Sequence, residues 1–249
     1  MITSLQNERV KLAYALQNQS KARRKEGKIV LEGGRLLRDA CQQGHIPDFV
    51  LYSAKADGAL LRSLPTSNLL LVSDAVMRHI SSAEEPPGIV GVLPLPAARL
   101  PEKPARSLIL DAVRDPGNVG TLLRTAAAAG VQAVLLAPTC ADPYNPKALR
   151  GGMGAHFRLP LAALDWPQIA AYCAHAQVYL ADSAGTLPYY QADWRRDWAL
   201  LIGSEAHGAG DEAQRLAQTH ISIPMAAQSE SLNAAAAAAV ILFHAGLRR

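Results

Sequence analysis

Short apolar runs recur along the chain between turn-forming residues, and they fall into two groups. In the first, residues 29–31, 49–52 and 69–72 read as strands, with a helix over 35–43 between the first two. In the second, strands are predicted at 108–110, 131–137, 178–181, 199–202 and 221–223, with helices at 119–129, 167–175 and 210–218. Strand and helix alternate as in the parallel sheet of an α/β fold. Between the groups, residues 94–106 read PLPAARLPEKPAR, and their four prolines in thirteen positions forbid a regular helix. The pattern therefore divides the chain into a smaller α/β domain at 1–94, a linker at 95–106 and a larger parallel-sheet domain at 107–249.

Three strands of the second group run into polar turns. Residues 108–130 read LILDAVRDPGNVGTLLRTAAAAG, residues 200–210 LLIGSEAHGAG, and residues 221–233 ISIPMAAQSESLN before an Ala-rich helix that extends to Leu247. Parallel strands can open on one sheet edge, so Asn118, Arg124, Glu205, Ser231 and Asn233 can converge on one pocket. Six positions separate Asn118 in the turn from Arg124, nearly two turns into the helix, where a buried guanidinium needs an anionic partner. A helix cap followed by a surface arginine fits the same spacing. Ser231 likewise suits an N-cap of the last helix.

Composition narrows the compartment and the partners. With 249 residues and 49% hydrophobic content there is room for two modest cores. The net charge is +4, and Arg9, Lys11, Lys21, Arg23, Arg24, Lys25, Lys28, Arg35 and Arg38 crowd the start of the chain against Glu8, Glu26 and Glu32. Such a cluster suits a phosphate backbone, or a solvated helix face. Cys41, Cys140 and Cys173 have no CxxC spacing, and no His/Cys cluster has the spacing of a metal site. The start of the chain lacks an apolar secretory core, and the longest apolar run, 234–243, is too short to span a bilayer, so a cytoplasmic protein is expected. No GxGxxG follows the first strand of the second group, which argues against a dinucleotide-dependent oxidoreductase.

The ordered segments DPGNVGTLLRTAAAAG, LLIGSEAHGAG and ISIPMAAQSESLNAAAAA resemble the three motifs of the SpoU/TrmH RNA 2′-O-ribose methyltransferases, of the SPOUT class. The N-terminal stretches ITSLQNERVK, KARRKEGKIVLEGGRLLRDA and PPGIVGV extend the resemblance over nearly the whole chain. It implies a trefoil-knotted C-terminal domain that binds S-adenosylmethionine, and a ribosomal-protein-like N-terminal domain that grips RNA, ribosomal RNA before transfer RNA. By motif position Gly203, Ile223 and Leu232 would contact the cofactor; for Ile223 and Leu232 plain core packing is the competing assignment. The catalytic set would be Asn118, Arg124, Glu205, Ser231 and Asn233. Arg124 would hold the RNA and stabilise developing alkoxide charge, Asn118 would position it or the ribose, and Glu205 would fix the arginine fork or support the cofactor loop.

Two features qualify the resemblance. Where family members carry a small residue and a hydroxyl, RGGMGAHFRLP has Gly151 and Gly152, which should loosen a loop flanked by the candidate RNA contacts Lys147 and Arg150. The run 234–239 offers only alanines, so a second helix can approach closely, and a homodimer is expected there; a helix tucked against its own sheet would use the same small side chains. A noncatalytic RNA-binding or ribosome-assembly protein on the same fold is the alternative, separable by cofactor binding.

Overall fold

The computed structural model describes residues 1–204, 208–226 and 232–247. Its chain forms two compact units, Met1–Ala97 with Tyr144–Phe157, and Ala98–Pro143 with Arg158–Arg249.

The first unit is built on a four-stranded sheet of order β1-β4-β2-β3, with β1 (Lys28–Glu32), β2 (Phe49–Tyr52), β3 (Leu69–Leu71) and β4 (Ile89–Pro94). Strand β4 pairs antiparallel with both β1 and β2, while β2 and β3 run parallel. Both faces are covered, so alternate residues of each strand are buried on opposite sides. Val30, Leu51, Val90 and Val92 join Val10, Ala13 and Leu16 of α1 (Glu8–Asn18), while Ile29, Leu31, Val50, Ile89 and Leu93 form the opposite cluster with Leu37 of α3 (Gly34–Gln42). That two-sided burial is why the strands read as continuous apolar runs. Short helices α2 (Ser20–Glu26), α4 (Gly58–Ser63) and α5 (Asp74–Ile80) complete the unit.

The segment Tyr144–Phe157, expected within a continuous C-terminal domain, belongs instead to this first unit. Leu149 and Phe157 supply the reason: both are buried in the cluster around Leu31 and Leu37. Arg150, expected as an RNA contact, lies 3.7 Å from Glu32, whose side chain is only 5% exposed. It also donates to Ser82 Oγ, and Glu32 accepts from Gln17 Nε2 at 3.0 Å and Ser82 Oγ at 2.8 Å. A carboxylate this buried needs such a set of donors.

The second unit carries a seven-stranded sheet of order β7-β6-β5-β10-β8-β11-β9 in which every pairing is parallel. Its elements in chain order are β5 (Arg106–Leu110), α6 (Pro116–Ala128), β6 (Ala133–Leu136), α7 (Pro146–Gly152, packed in the first unit) and β7 (Leu161–Ala163), then α8 (Trp166–Cys173), β8 (Gln177–Ala181) and β9 (Leu187–Pro188), and finally β10 (Trp198–Ile202), α9 (Asp211–Leu216), β11 (Thr219–Ser222) and α10 (Ala234–Leu247). Ile109, Val178, Leu180, Ala199 and Leu201 pack on one face with Ile169 and Cys173 of α8 and Ala213 of α9. On α10, Ala238, Leu242 and Ala245 are buried, and the helix packs on α6 and β10. Polar residues start the helices at the strand ends: Asp115 accepts from Asn118 N at 2.9 Å, and Asp165 forms a capping box with Gln168 before α8. The predicted linker is partly packed, with Leu100 against the α8 cluster and Pro101 O accepting from Tyr172 Oη at 2.7 Å.

Among the basic residues near the start of the chain, Arg23 is an exception. It is 3% exposed and its guanidinium donates to Leu16 O at 2.5 Å, fastening α2 to the end of α1. Arg24 and Lys25 beside it are exposed. Arg23→Ala should therefore cost about 1–3 kcal/mol of stability, the scale of a lost charged hydrogen bond with its acceptor left buried. Arg24→Ala and Lys25→Ala should stay within about 0.5 kcal/mol. Urea unfolding followed by circular dichroism measures all three.

Candidate functional site

The carboxyl ends of β8, β10 and β11 border a cavity of about 370 Å³, inside the range of about 300–1,000 Å³ of small-molecule sites. Gly203, Ile223 and Leu232 all line it, so the three residues expected to meet one ligand are gathered around one space. Ile202, Ile221 and Met225 extend the apolar wall, and Asp182, Ser183, Ser204 and Gln214 supply polar groups.

Gly203 is fixed by the turn that follows β10. A Cβ there would sit 2.5 Å from Ala209 N and from Gly208 C, both backbone atoms. Ser204 and Gly208 exchange hydrogen bonds in both directions, Ser204 N to Gly208 O at 2.8 Å and Gly208 N to Ser204 O at 3.0 Å. Directly after the neighbouring strand β5, Asp111 Oδ2 accepts from Gly210 N at 2.7 Å. The loop after β10 is thereby tied to the end of β5, and only glycine fits where the backbone closes on itself.

Helix α10 divides its small residues among three faces. Ala234, Ala237 and Ile241 line the cavity, Ala235, Ala238, Leu242 and Ala245 are buried, and Ala236, Val240 and Phe243 form an exposed ridge. Gly246 approaches α6 so closely that a Cβ would lie 2.7 Å from Ala129 O. Much of the alanine run thus serves packing within the unit, the second of the two uses its small side chains allow, while Ala236 stays exposed. A bulky side chain at Ala237 would enter the cavity.

The predicted catalytic residues are brought together only in part. Asn233 Nδ2 lies 3.5 Å from Asn118 Oδ1, joining the last helix to the first turn of α6 across 115 positions. Asn233 Oδ1 accepts from Ala235 N at 2.9 Å and Ala236 N at 3.3 Å, so Asn233 is the N-cap of α10, the role expected of Ser231. Arg124 is exposed and does not line the cavity, and no hydrogen bond or ion pair joins its guanidinium to another described residue. Six residues at ~100° each carry it to a different side of α6 from Asn118. Of the two arrangements that fit the spacing, the surface arginine is the one observed. Glu205 and Ser231 lie outside the described residues.

Several lining residues escaped the sequence reading. Asp182 and Ser183 follow β8 in ADSAG, a fourth strand-to-polar-turn junction whose signal was present but lacked a motif. Gln214, Ala237 and Ile241 come from helices, where nothing in the local pattern separates a pocket wall from a core face. Near the end of β5, burial pushes the Cys140 thiol up to about 11, so it stays protonated at neutral pH and is a poor nucleophile. Among the described residues no cluster of His, Cys, Asp and Glu can hold a metal ion, and no helix is long and apolar enough to cross a membrane.

Residues 105–243 match the model of the SpoU rRNA Methylase family, and residues 7–91 match the MRM3-like substrate binding domain. The chain belongs to the SpoU rRNA methylase family. Among its relatives, the 23S rRNA (guanosine(2553)-2′-O)-methyltransferase RlmP of Bacillus subtilis is 32% identical, with 98% of each chain covered. The mitochondrial rRNA methyltransferase 3A of Danio rerio is 36% identical over 89% of this chain, which spans 64% of that relative's length. The crystal structure of the SpoU methyltransferase AviRb from Streptomyces viridochromogenes, in complex with the cofactor AdoMet, superposes with a TM-score of 0.88 at 28% identity and covers 97% of both chains. The α/β architecture with a parallel-sheet core is therefore that of SpoU methyltransferases.

The double duty of Asn233 is separable. Asn233→Ala should cost about 1 kcal/mol through the lost cap, whereas Asn233→Ser should retain most of that stability while losing the amide that faces Asn118. Thermal unfolding of both variants reads the difference.

Proposed function

We infer that the second unit holds S-adenosylmethionine in the cavity at the ends of β8, β10 and β11, and that the protein methylates the 2′-hydroxyl of a ribose in ribosomal RNA bound by the first unit. The observation that carries this reading is the convergence of Gly203, Ile223 and Leu232 on one cavity of suitable size in a chain of this family. The walls fit the cofactor's chemistry. Ile223, Leu232 and Met225 offer apolar surface for a base, and the loop at Gly203 offers backbone at close range. Bound there, the cofactor supplies a methyl already activated on a sulfonium.

Little else is asked of the protein than orientation. The new bond runs from the methyl carbon to the ribose oxygen as the carbon–sulfur bond breaks, and the hydroxyl proton passes to solvent. Asn118 and Asn233, joined at the mouth of α6 and α10, position the ribose. Arg124 holds phosphate and stabilises the developing oxyanion; its exposure and freedom from described partners leave the guanidinium available to RNA. Glu205 and Ser231 are assigned to the same centre by motif position. For the RNA grip, the exposed Arg24 and Lys25 are favoured over Arg23, which is occupied within its own unit.

The finer architecture is assigned on the same footing. A trefoil-knotted threading of the second unit is supported by β10 lying between β5 and β8 while α10 returns to pack on α6 and β10. A homodimer through α10 is supported by Val240 and Phe243, exposed by 39% and 49% on an apolar ridge. In that dimer Arg124 serves the partner's site, since it does not line the cavity of its own. A cytoplasmic setting suits the three free cysteines.

Mapping 2′-O-methyl positions across total RNA with and without the gene should reveal a ribosomal RNA site that disappears with the protein. Arg124→Ala should fail to restore it, with transfer reduced about a hundredfold and cofactor binding unchanged by calorimetry; near-normal transfer would remove Arg124 from the mechanism. Phe243→Asp should convert a sedimenting dimer to a monomer with loss of activity. A wild-type protein that is active as a monomer would refute both the dimer and the shared site.

A further inference from the structure

Asp182 is the one ionisable side chain in the cavity lining among the described residues. It directly follows β8, and because Ala181 pairs with Ile202 in the parallel register, it lies beside Gly203 at the end of the neighbouring strand. The backbone around it is held on both sides. Asp182 N donates to Ile221 O at 2.9 Å, Gly185 N donates back to Asp182 O at 3.0 Å, and a Cβ on Gly185 would lie 2.7 Å from Ile221 C.

The carboxylate is oriented as firmly as its backbone. Oδ1 accepts from Ala184 N at 2.9 Å, and Oδ2 accepts from His220 Nδ1 at 3.0 Å. An ionised carboxylate offers about four lone-pair sites. These two bonds leave acceptor capacity on each oxygen, side by side, and the carboxylate has nothing to donate. That arrangement matches two adjacent hydroxyl donors. Open parallel sheets that bind dinucleotides use an acidic side chain for the same pairing with a ribose hydroxyl.

We propose that Asp182 recognises the vicinal hydroxyls of the S-adenosylmethionine ribose, with His220 as the positioning residue that holds the carboxylate toward them. The proposal rests on the methyltransferase reading above and goes beyond it by naming the group that the Asp182 carboxylate meets. Among the described residues the rest of the lining is apolar or uncharged, so a ligand diol finds its charged acceptor here.

Calorimetry on the full-length protein tests this with S-adenosylhomocysteine and its 2′-deoxy and 3′-deoxy analogues. Wild type should lose about tenfold in affinity when a hydroxyl is removed, and Asp182→Asn should lose about tenfold for the parent ligand. In Asp182→Asn, removing the hydroxyl should then cost little. Asp182→Ala should behave likewise, with circular dichroism melts certifying both folds. His220→Gln, which retains a donor, should bind close to wild type, and His220→Ala should bind severalfold more weakly. Equal losses on hydroxyl removal in wild type and Asp182→Asn would overturn the assignment, as would unchanged affinity for the parent ligand. A folded wild type that binds none of the three ligands would overturn the methyltransferase reading itself, and the role of Asp182 with it.

Discussion

The closure of the backbone at Gly203 is the constraint on which the site depends. Strand β10 is the central strand of its sheet, paired in register with β5 on one side and β8 on the other. Its chain must turn immediately after Ile202, where any side chain would strike the backbone of Gly208 and Ala209. Because that turn is tight, the ends of β8 and β11 are left open beside it, and the cavity is the space that remains. Asp111, accepting from Gly210 N, transmits the position of β5 to the same loop. The first turn of α6 and the start of α10 then meet through Asn118 and Asn233.

Helix α10 shows how one sequence run can satisfy several demands. Small side chains let it lie against α6, with Gly246 close to Ala129 O, while Ala234 and Ala237 leave room in the cavity. Larger residues follow at Val240, Ile241, Leu242 and Phe243, and the helical period sends them to different faces: Ile241 to the cavity, Leu242 to the core, Val240 and Phe243 outward. The cavity wall and an apolar outer ridge are thus carried by different faces of one helix.

Much of this was legible in the sequence, for physical reasons. Strands buried on both faces give unbroken apolar runs, so β2, β5, β8 and β10 were located to within a residue or two, and the polar turns after β5, β10 and β11 marked the sheet edge. Motif order then picked out Gly203, Ile223 and Leu232, which the fold brings to one cavity. What stayed hidden depends on partners distant in the chain. Nothing near Tyr144–Phe157 announces that Leu149 and Phe157 will pack in the other unit, or that Arg150 will face Glu32. The face of α6 that carries Arg124, and the choice of Asn233 over Ser231 as cap, are likewise set by how α6 and α10 pack. Asp182 had a visible turn signal, but a turn alone does not say what lies across from it.

The central claim is that the space beside Gly203 is the cofactor site, and a crystal structure of the protein with S-adenosylmethionine tests it most directly. The account predicts ligand density bounded by Gly203, Ile223 and Leu232 at the carboxyl ends of β8, β10 and β11. Density elsewhere on the protein, with that cavity filled only by solvent, would contradict it.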